Sequence, residues 1–214
     1  MSLREMEIGL WYAVIGYYFF LFIYFILRYR TSKKIIHIGF SMFFVALAVG
    51  RALLLLYDFY YTGDLLLWKL GTVFQWAALS SISAAISTLI FQNKNQQTAF
   101  IIIPLLVATV VAVLPAGFLL PQQIPRIVIN NVVAPIYAIL IPALFFFVSW
   151  KSAGLIRKSA FLIGMGFLTF YVGRVIHSEI LKPVFGFTVG IIAPGLVIVA
   201  LILIAAGVQY GLLY

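Results

Sequence analysis

Residues 191–208 read IIAPGLVIVALILIAAGV, a stretch with no charged side chain and no side-chain hydrogen-bonding group. As an α-helix it would extend about 27 Å at 1.5 Å per residue, close to the roughly 30 Å of hydrocarbon in a bilayer. Similar apolar runs recur along the chain. Because hydrocarbon offers no water to backbone N–H and C=O groups, such runs predict membrane-spanning helices, whose backbone groups bond one another.

The composition of the whole chain agrees with that prediction. Hydrophobic residues make up 65% of its 214 residues and charged residues 9%, with a mean hydropathy of +1.17. Soluble domains are about half apolar and a quarter charged. Membrane β-barrels alternate polar and apolar residues, whereas the runs here stay apolar for about 20 residues, so helices are favoured. The net charge of +9 lies in short loops, where it matches anionic lipid headgroups and does not predict nucleic-acid binding.

We therefore predict an all-α integral membrane protein, a seven-transmembrane-helix bundle forming one domain over residues 1–214. Short connections carry turn residues such as Gly63 and Pro121, and no segment is long enough to fold as a separate soluble domain. The predicted spans lie near 9–27, 35–57, 66–91, 98–119, 128–149, 160–181 and 186–210.

The distribution of charge predicts the orientation of these spans. One set of connections carries eight basic and no acidic residues, and the other carries all five acids with four basic residues. Since cytoplasmic loops are enriched in Lys and Arg, the N-terminus is expected outside and the C-terminus in the cytoplasm, in the plasma membrane. Aromatic residues including Trp11 and Trp68 are expected in a belt at the outer interface.

A short motif occurs twice, in spans two and six. Met42-x-Phe44-x4-Val49-Gly50-Arg51 corresponds to Met165-x-Phe167-x4-Val172-Gly173-Arg174, and each follows a basic pair at almost the same distance. We interpret this as a duplicated three-helix unit, with halves 1–92 and 126–214 and span four as the linker. Equivalent spans run in the same direction, so the 3+1+3 repeat would be parallel.

This layout and length resemble the sugar and vitamin carriers of the SWEET and nicotinamide-riboside type and, more distantly, microbial rhodopsins. The resemblance concerns architecture alone. The Pro121-Gln122 pair falls in an outer loop, whereas the carrier motif would place it on a helix. Spans six and seven lack the lysine that a retinal Schiff base requires. The resemblance therefore implies no residue roles and no pigment.

The two arginines of the motif are the sharpest candidates for a ligand-binding site. Arg51 and Arg174 each lie roughly 5–8 Å past the midpoint of their span, and an intramembrane arginine is by default a functional-site hypothesis. They could line a cavity that binds an anionic or polar solute by bidentate contacts. Alternatively each arginine could extend outward to a local partner, Asp58 for Arg51 and His177 for Arg174.

Further polar residues complete the candidate ligand-binding set. Gln75 lies on a polar face of span three, Asn130 and Asn131 begin span five, and Glu179 follows His177 closely enough to form a pH-sensitive pair with it. The two histidines, His37 and His177, lie near opposite ends of their spans and cannot converge on one metal. The sequence has no cysteine, so it predicts neither a metal site nor a cofactor.

These residues suggest two functions of different classes, and the sequence leaves both open. The first is a facilitative carrier or channel for a small polar or anionic solute, with Arg51, Gln75 and Arg174 in its path. The second is a non-transporting seven-helix sensory or assembly subunit that acts through a membrane protein partner or as a homo-oligomer. An enzyme is not predicted, because no nucleophile, carboxylate pair or metal cluster occurs at a usable depth.

Overall fold

A computed structural model describes residues 2–120, 123–177 and 188–211, and all regular structure in these ranges is helical. Besides the longer helices there is a short 3-10 helix, Ala116–Leu119, and a π-helical turn, Ile129–Val133. The α-helices are α1 Leu3–Ser32, α2 Ile35–Phe59, α3 Leu65–Ile90, α4 Lys94–Val113, α5 Ile124–Val128, α6 Ala134–Lys151, α7 Gly154–Ile176 and α8 Thr188–Gly211.

Seven of these helical stretches are long and apolar enough to cross a membrane, with α5, the π-helical turn and α6 together forming one stretch, Ile124–Lys151. The prediction of an all-helical chain with seven membrane-spanning segments is confirmed at this level. The chain is a polytopic integral membrane protein. Large hydrophobic side chains remain exposed along the helices, for example Ile139 at 71% and Trp150 at 75%, as expected where lipid is the solvent.

Proline chemistry explains where the helical boundaries differ from the predicted spans. The fourth span was predicted to reach residue 119, whereas α4 ends at Val113 and Pro115 precedes the 3-10 helix. A residue before proline is disfavoured in the α region, which ends the helix there. Pro135 has no N–H to donate toward Asn131, and the π-helical turn immediately precedes it.

The chain folds into two compact units. The central unit is Ile15–Ile129, and the terminal unit combines Met1–Val14 with Asn130–Tyr214. Residues Met1–Val14 at the start of α1 thus group with the C-terminal helices, and α2 to α5 lie in the central unit. The helix α1 is therefore shared by both units.

Within the central unit, α2 and α3 pack closely in antiparallel directions. A Cβ added at Gly50 would lie 2.9 Å from the Gly71 carbonyl oxygen and 3.2 Å from Gln75 Cγ. Glycine lets the two helix backbones approach, as small residues commonly do in membrane proteins. The α1–α2 contact is aromatic, since the Phe25 ring stacks on those of Phe40 and Phe44 at centroid distances of 5.3 and 5.6 Å.

Within the terminal unit, α7 and α8 pack in a similar way. A Cβ at Gly173 would lie 3.1 Å from the Ala193 carbonyl oxygen, and one at Gly166 would lie 2.9 Å from that of Ala200. At the other end of this helix pair, the Ser159 hydroxyl donates a hydrogen bond of 2.7 Å to the Gly207 carbonyl oxygen. This contact joins the start of α7 to the end of α8.

Candidate functional site

A buried acid lies at the start of α1 in the terminal unit. Glu7 is 2% exposed, and its Oε1 lies 3.8 Å from Nδ1 of His177, which follows the last residue of α7. The Trp11 ring, one turn further along α1, lies 4.8 Å from the His177 ring between centroids. Glu7, Trp11 and His177 form what we call the acid–histidine site.

The helix α8 also contacts this site, because its Gly190 lies next to the Glu7 carboxyl group. A Cβ added at Gly190 would lie 2.6 Å from Glu7 Cδ and Oε2, so the glycine leaves the room that the carboxyl group occupies. Three helices of the terminal unit thus meet at one ionisable pair. A carboxylate at this separation attracts a protonated imidazole, and loss of the imidazolium proton removes that attraction and leaves the pair with one net negative charge.

The sequence placed Glu7 among the outer charges and did not include it in the candidate site. A signal was nevertheless present. The buried side chains of the first part of α1 recur at alternating intervals of four and three residues: Glu7, Trp11, Val14, Tyr18, Leu21 and Phe25. A carboxyl group in register with the packed face of a helix is an unusual position and marks Glu7 as a candidate.

Arg51 forms an ion pair on its own helix. Its Nη1 lies 3.2 Å from Oδ2 of Asp58, two turns further along α2, and the exposed side-chain fractions are 8% and 27%. This is the local partner that the sequence offered as the alternative to a solute. Gln75 lies beside the same stretch of α2, since its Cγ approaches Gly50, the residue before Arg51. Arg51 and Gln75 therefore lie near the contact between α2 and α3, with Asp58 two turns further along α2.

The remaining predicted residues are distributed differently. Arg174 is half-buried, with its guanidinium carbon 5.9 Å from the Phe170 ring centroid. Asn130 and Asn131 lie in the π-helical turn and are exposed. Glu179 lies outside the described residues, as does the Pro121-Gln122 pair.

A second buried cation, which the sequence did not single out, lies in the central unit. Arg126 on α5 is 1% exposed, donates a hydrogen bond of 3.0 Å from Nη1 to the Leu119 carbonyl oxygen, and places its guanidinium carbon 4.0 Å from the Trp68 ring centroid. Trp68 is 7% exposed and packs on this arginine. Nearby on α3, Lys69 donates to the Leu114 carbonyl oxygen at 2.9 Å.

The described parts of the chain offer little for metal or polar-solute binding elsewhere. These residues contain no cluster of three or more His, Cys, Asp or Glu side chains. A groove of about 230 Å³ lies between α6 and α7 in the terminal unit, and its walls are almost entirely apolar. The groove is lined by Ala138, Ile139, Leu168, Tyr171, Val172, Val175 and Ile176. Its chemistry suits an acyl chain or an apolar side chain better than a polar solute.

Comparison of the chain with protein-family models, with curated proteins and with solved structures gave no match.

Proposed function

We propose that this chain is a membrane sensory subunit that responds to proton concentration through the acid–histidine site. The observation that carries the proposal is the burial of Glu7 at 2% exposure, 3.8 Å from His177. Ionisable groups inside membrane segments are costly and commonly mark functional sites. Histidine is the side chain whose charge ordinarily changes between about pH 5 and 8.

The expected direction of the response follows from the charges. A protonated His177 attracts the Glu7 carboxylate and holds the start of α1 against the end of α7. Loss of that proton removes the attraction and leaves the carboxylate in a poorly solvated place. The contact is therefore expected to tighten as the pH falls and His177 gains its proton.

Other charges near the acid–histidine site set its electrostatic background. Arg4 lies one turn before Glu7 on α1, and Arg174 lies one turn before His177 on α7. The described part of α8 carries no charged residue, and Tyr210 is its only titratable one. Glu179 and Lys182 follow in the chain and lie outside the described residues. Because basic groups flank the pair on both helices, the Glu7 carboxylate is the group that favours a proton on His177.

Trp11 provides an internal reporter for this proposal. A variant with Trp68, Trp76 and Trp150 replaced by phenylalanine keeps Trp11 as its single tryptophan. We expect its fluorescence in nanodiscs to fall as the pH is lowered from about 8 to 5, because an imidazolium in contact with an indole quenches its emission.

Two substitutions at the acid–histidine site supply matched controls for this titration. His177→Gln should abolish the pH dependence, and Glu7→Gln should move its midpoint to lower pH, because the imidazolium loses its anion. A pH profile that is unchanged by His177→Gln would contradict the proposal. A midpoint that Glu7→Gln does not move would show that the carboxylate does not act on His177.

A conformational measurement tests whether protonation changes the protein. The chain has no cysteine, so spin labels can be placed at will. Suitable positions are Leu3 and Val175, which are 54% and 51% exposed in the terminal unit. The distance between labels at these positions should shorten at acidic pH by a few Å, on the order of the pitch of one helical turn. A control pair at Met42 and Leu66 in the central unit should keep its distance. Equal distances at both pH values for the first pair would refute a sensory role for the site.

The second candidate is a facilitative carrier or channel for a small polar or anionic solute. The observation that favours it is the Arg51–Asp58 ion pair on α2, with Gln75 of α3 beside the same stretch of that helix in the central unit. An ion pair of this kind could exchange its internal partner for a solute. Flux into reconstituted vesicles should then fall when Arg51→Ala and Arg174→Ala are combined. Two results would contradict this alternative: equal flux of ions and small polar solutes into vesicles with the wild type and with the double variant, or no flux with either protein.

We also propose the duplication of a three-helix unit, supported by the packing of the two Gly-Arg motifs. Gly173 lies 123 residues after Gly50, and the carbonyl groups they approach, Ala193 and Gly71, are separated by 122 residues. Each glycine thus meets the following helix at nearly the same register. In a duplicated chain, α5 would correspond to the start of α1. The start of α1 belongs to the terminal unit and α5 belongs to the central unit, so each half contributes its first segment to the other half's unit. A parallel repeat accounts for both observations.

The orientation and setting of the protein complete the proposal. The charge distribution supports an N-terminus outside the cell and a C-terminus in the cytoplasm, in the plasma membrane. A cysteine introduced at Ser2 should react with an impermeant maleimide added to intact cells, and one at Asn95 should react only after lysis. The reverse pattern would overturn the orientation. We propose no enzymatic role, and we expect the signal to pass to a membrane protein partner or a second copy of the chain.

A further inference from the structure

The two ends of the central unit differ in charge. Both of its acids, Asp58 and Asp64, lie at the end where α2 finishes and α3 begins. Asp58 pairs with Arg51, and the Asp64 carboxylate caps α3. At the same end, Lys69 and Arg126 each donate a hydrogen bond to a backbone carbonyl oxygen. The charged groups of this end therefore find their partners within the protein.

The opposite end of the described central unit carries five exposed basic residues and no acid. These residues, which we call the basic end, are Arg28, Arg30, Lys33, Lys34 and Lys94. A Cβ added at Gly39, near the start of α2, would contact Ala85, near the end of α3. This contact places Lys94, the first residue of α4, on the same side as the connection between α1 and α2. Asp58 is about 36 Å away along α2.

Two of these cations lie over tyrosine rings. The Arg28 guanidinium carbon is 5.5 Å from the Tyr24 ring centroid, and Lys33 Nζ is 5.8 Å from that of Tyr29. The connection itself is short, since only Lys33 and Lys34 separate α1 from α2, and Lys33 adopts a left-handed conformation with φ 55°. A ring face attracts the positive charge without accepting every N–H group, so these side chains can still donate to an oxygen anion.

We propose that the basic end binds the phosphate groups of anionic phospholipids. Tyrosine is enriched at the headgroup level of membranes, so Tyr24 and Tyr29 hold Arg28 and Lys33 at the depth of the lipid phosphates. Guanidinium and ammonium groups donate strong hydrogen bonds to phosphate oxygens. Each Lys or Arg near an anionic membrane surface contributes a factor of about five to the association.

The surroundings of the basic end favour a lipid over a soluble anion. Leu27, the residue before Arg28, is 53% exposed, and Ile35, the residue after Lys34, is 62% exposed. Apolar side chains next to the cations offer contact surface to acyl chains, which a soluble phosphate lacks. The basic end therefore matches both parts of an anionic phospholipid.

Quenching of a fluorophore by spin-labelled lipids tests this proposal in the full chain. Because the sequence has no cysteine, a fluorophore can be attached through Leu27→Cys beside the basic end, or through Leu66→Cys, at a position 60% exposed at the opposite end of the central unit. The protein is placed in phosphatidylcholine vesicles that contain a small fraction of nitroxide-labelled phosphatidylglycerol or nitroxide-labelled phosphatidylcholine in both leaflets.

We expect phosphatidylglycerol to quench the label at position 27 several-fold more strongly than phosphatidylcholine does, and both lipids to quench the label at position 66 about equally. Equal quenching by the two lipids at position 27 would overturn the proposal. The same preference at position 66 would show a general attraction to the positively charged protein and would also overturn a site at the basic end.

Charge substitutions identify the residues responsible. Arg28→Gln combined with Lys34→Gln should reduce the preference for phosphatidylglycerol several-fold, whereas Arg28→Lys combined with Lys34→Arg keeps both charges and should retain most of it. An undiminished preference in the neutral variant would refute the role of these cations. Millimolar glycerol phosphate at constant ionic strength should leave the preference unchanged, and its loss would show a site for a soluble phosphate in place of a lipid. These readouts do not depend on the acid–histidine site, so they stand apart from the sensory proposal.

Discussion

Replacement of Gly50 by alanine should destabilise the protein, although alanine is the better helix former. In a helix interior the change from glycine to alanine ordinarily gains up to about 1 kcal/mol. At Gly50 the added Cβ would lie 2.9 Å from the Gly71 carbonyl oxygen, which is backbone and cannot rotate away, and 3.2 Å from Phe74 Cβ. Overpacking of this kind costs about 1–3 kcal/mol. The net loss in the free energy of unfolding is expected to be about 1–2 kcal/mol.

The control is Gly16→Ala on α1, since a Cβ at Gly16 meets no atom within 4 Å. Both variants make the same chemical change within a membrane helix, so their difference isolates the contact. Unfolding in mixed micelles with increasing dodecyl sulfate, followed by helical circular dichroism, gives the free energy of each. Equal stability of the two variants would refute the close approach of α2 and α3. Gly173→Ala should show a smaller loss than Gly50→Ala, because its nearest atom is 3.1 Å away.

Three further predictions concern the buried polar contacts. Asp58→Asn should cost about 1–3 kcal/mol of unfolding free energy, because Arg51 keeps its charge within α2 and loses its anion. Added salt should change the unfolding free energy of the wild type little. An Asp58→Asn variant as stable as the wild type would show that the pair is merely solvated. A double-mutant cycle of Arg126→Met and Trp68→Leu should give a coupling of about 1–2 kcal/mol, and additive losses would argue against the cation–π contact. Ser159→Ala should cost roughly 0.6 kcal/mol in the same unfolding assay, the mean for hydrogen bonds between membrane helices, and a gain in stability would contradict the contact with α8.

Hydropathy made the helices predictable, because the thickness of the bilayer imposes a length that a sequence window can measure. Their ends were less predictable. The end of α4 depends on Pro115, which disfavours the α conformation in the residue before it, and the π-helical turn depends on Pro135, which lacks an N–H. Average hydropathy registers neither effect. Asp64, by contrast, follows a simple local rule, since its carboxylate accepts the N–H of Leu66 and begins α3 as an N-cap.

The candidate site was predictable only where both partners lie on one helix. Arg51 and Asp58 share α2, so their spacing alone brings them together. The partner of Glu7 is 170 residues away in the chain, and helical periodicity can place Glu7 on a packed face without identifying what packs there. For the same reason Arg126 appeared to be one more loop cation. Its contact with Trp68 depends on tertiary packing across the central unit.

The division of α1 between two units has a consequence for the biogenesis of the protein. Glu7 leaves the ribosome well before His177 and Gly190, which enclose its carboxyl group. Until α7 and α8 are made, the start of α1 lacks these contacts, and its carboxyl group must stay in contact with water or headgroups. The helix α1 thus enters the membrane before its contacts with α7 and α8 can form, and the later helices secure the earlier one.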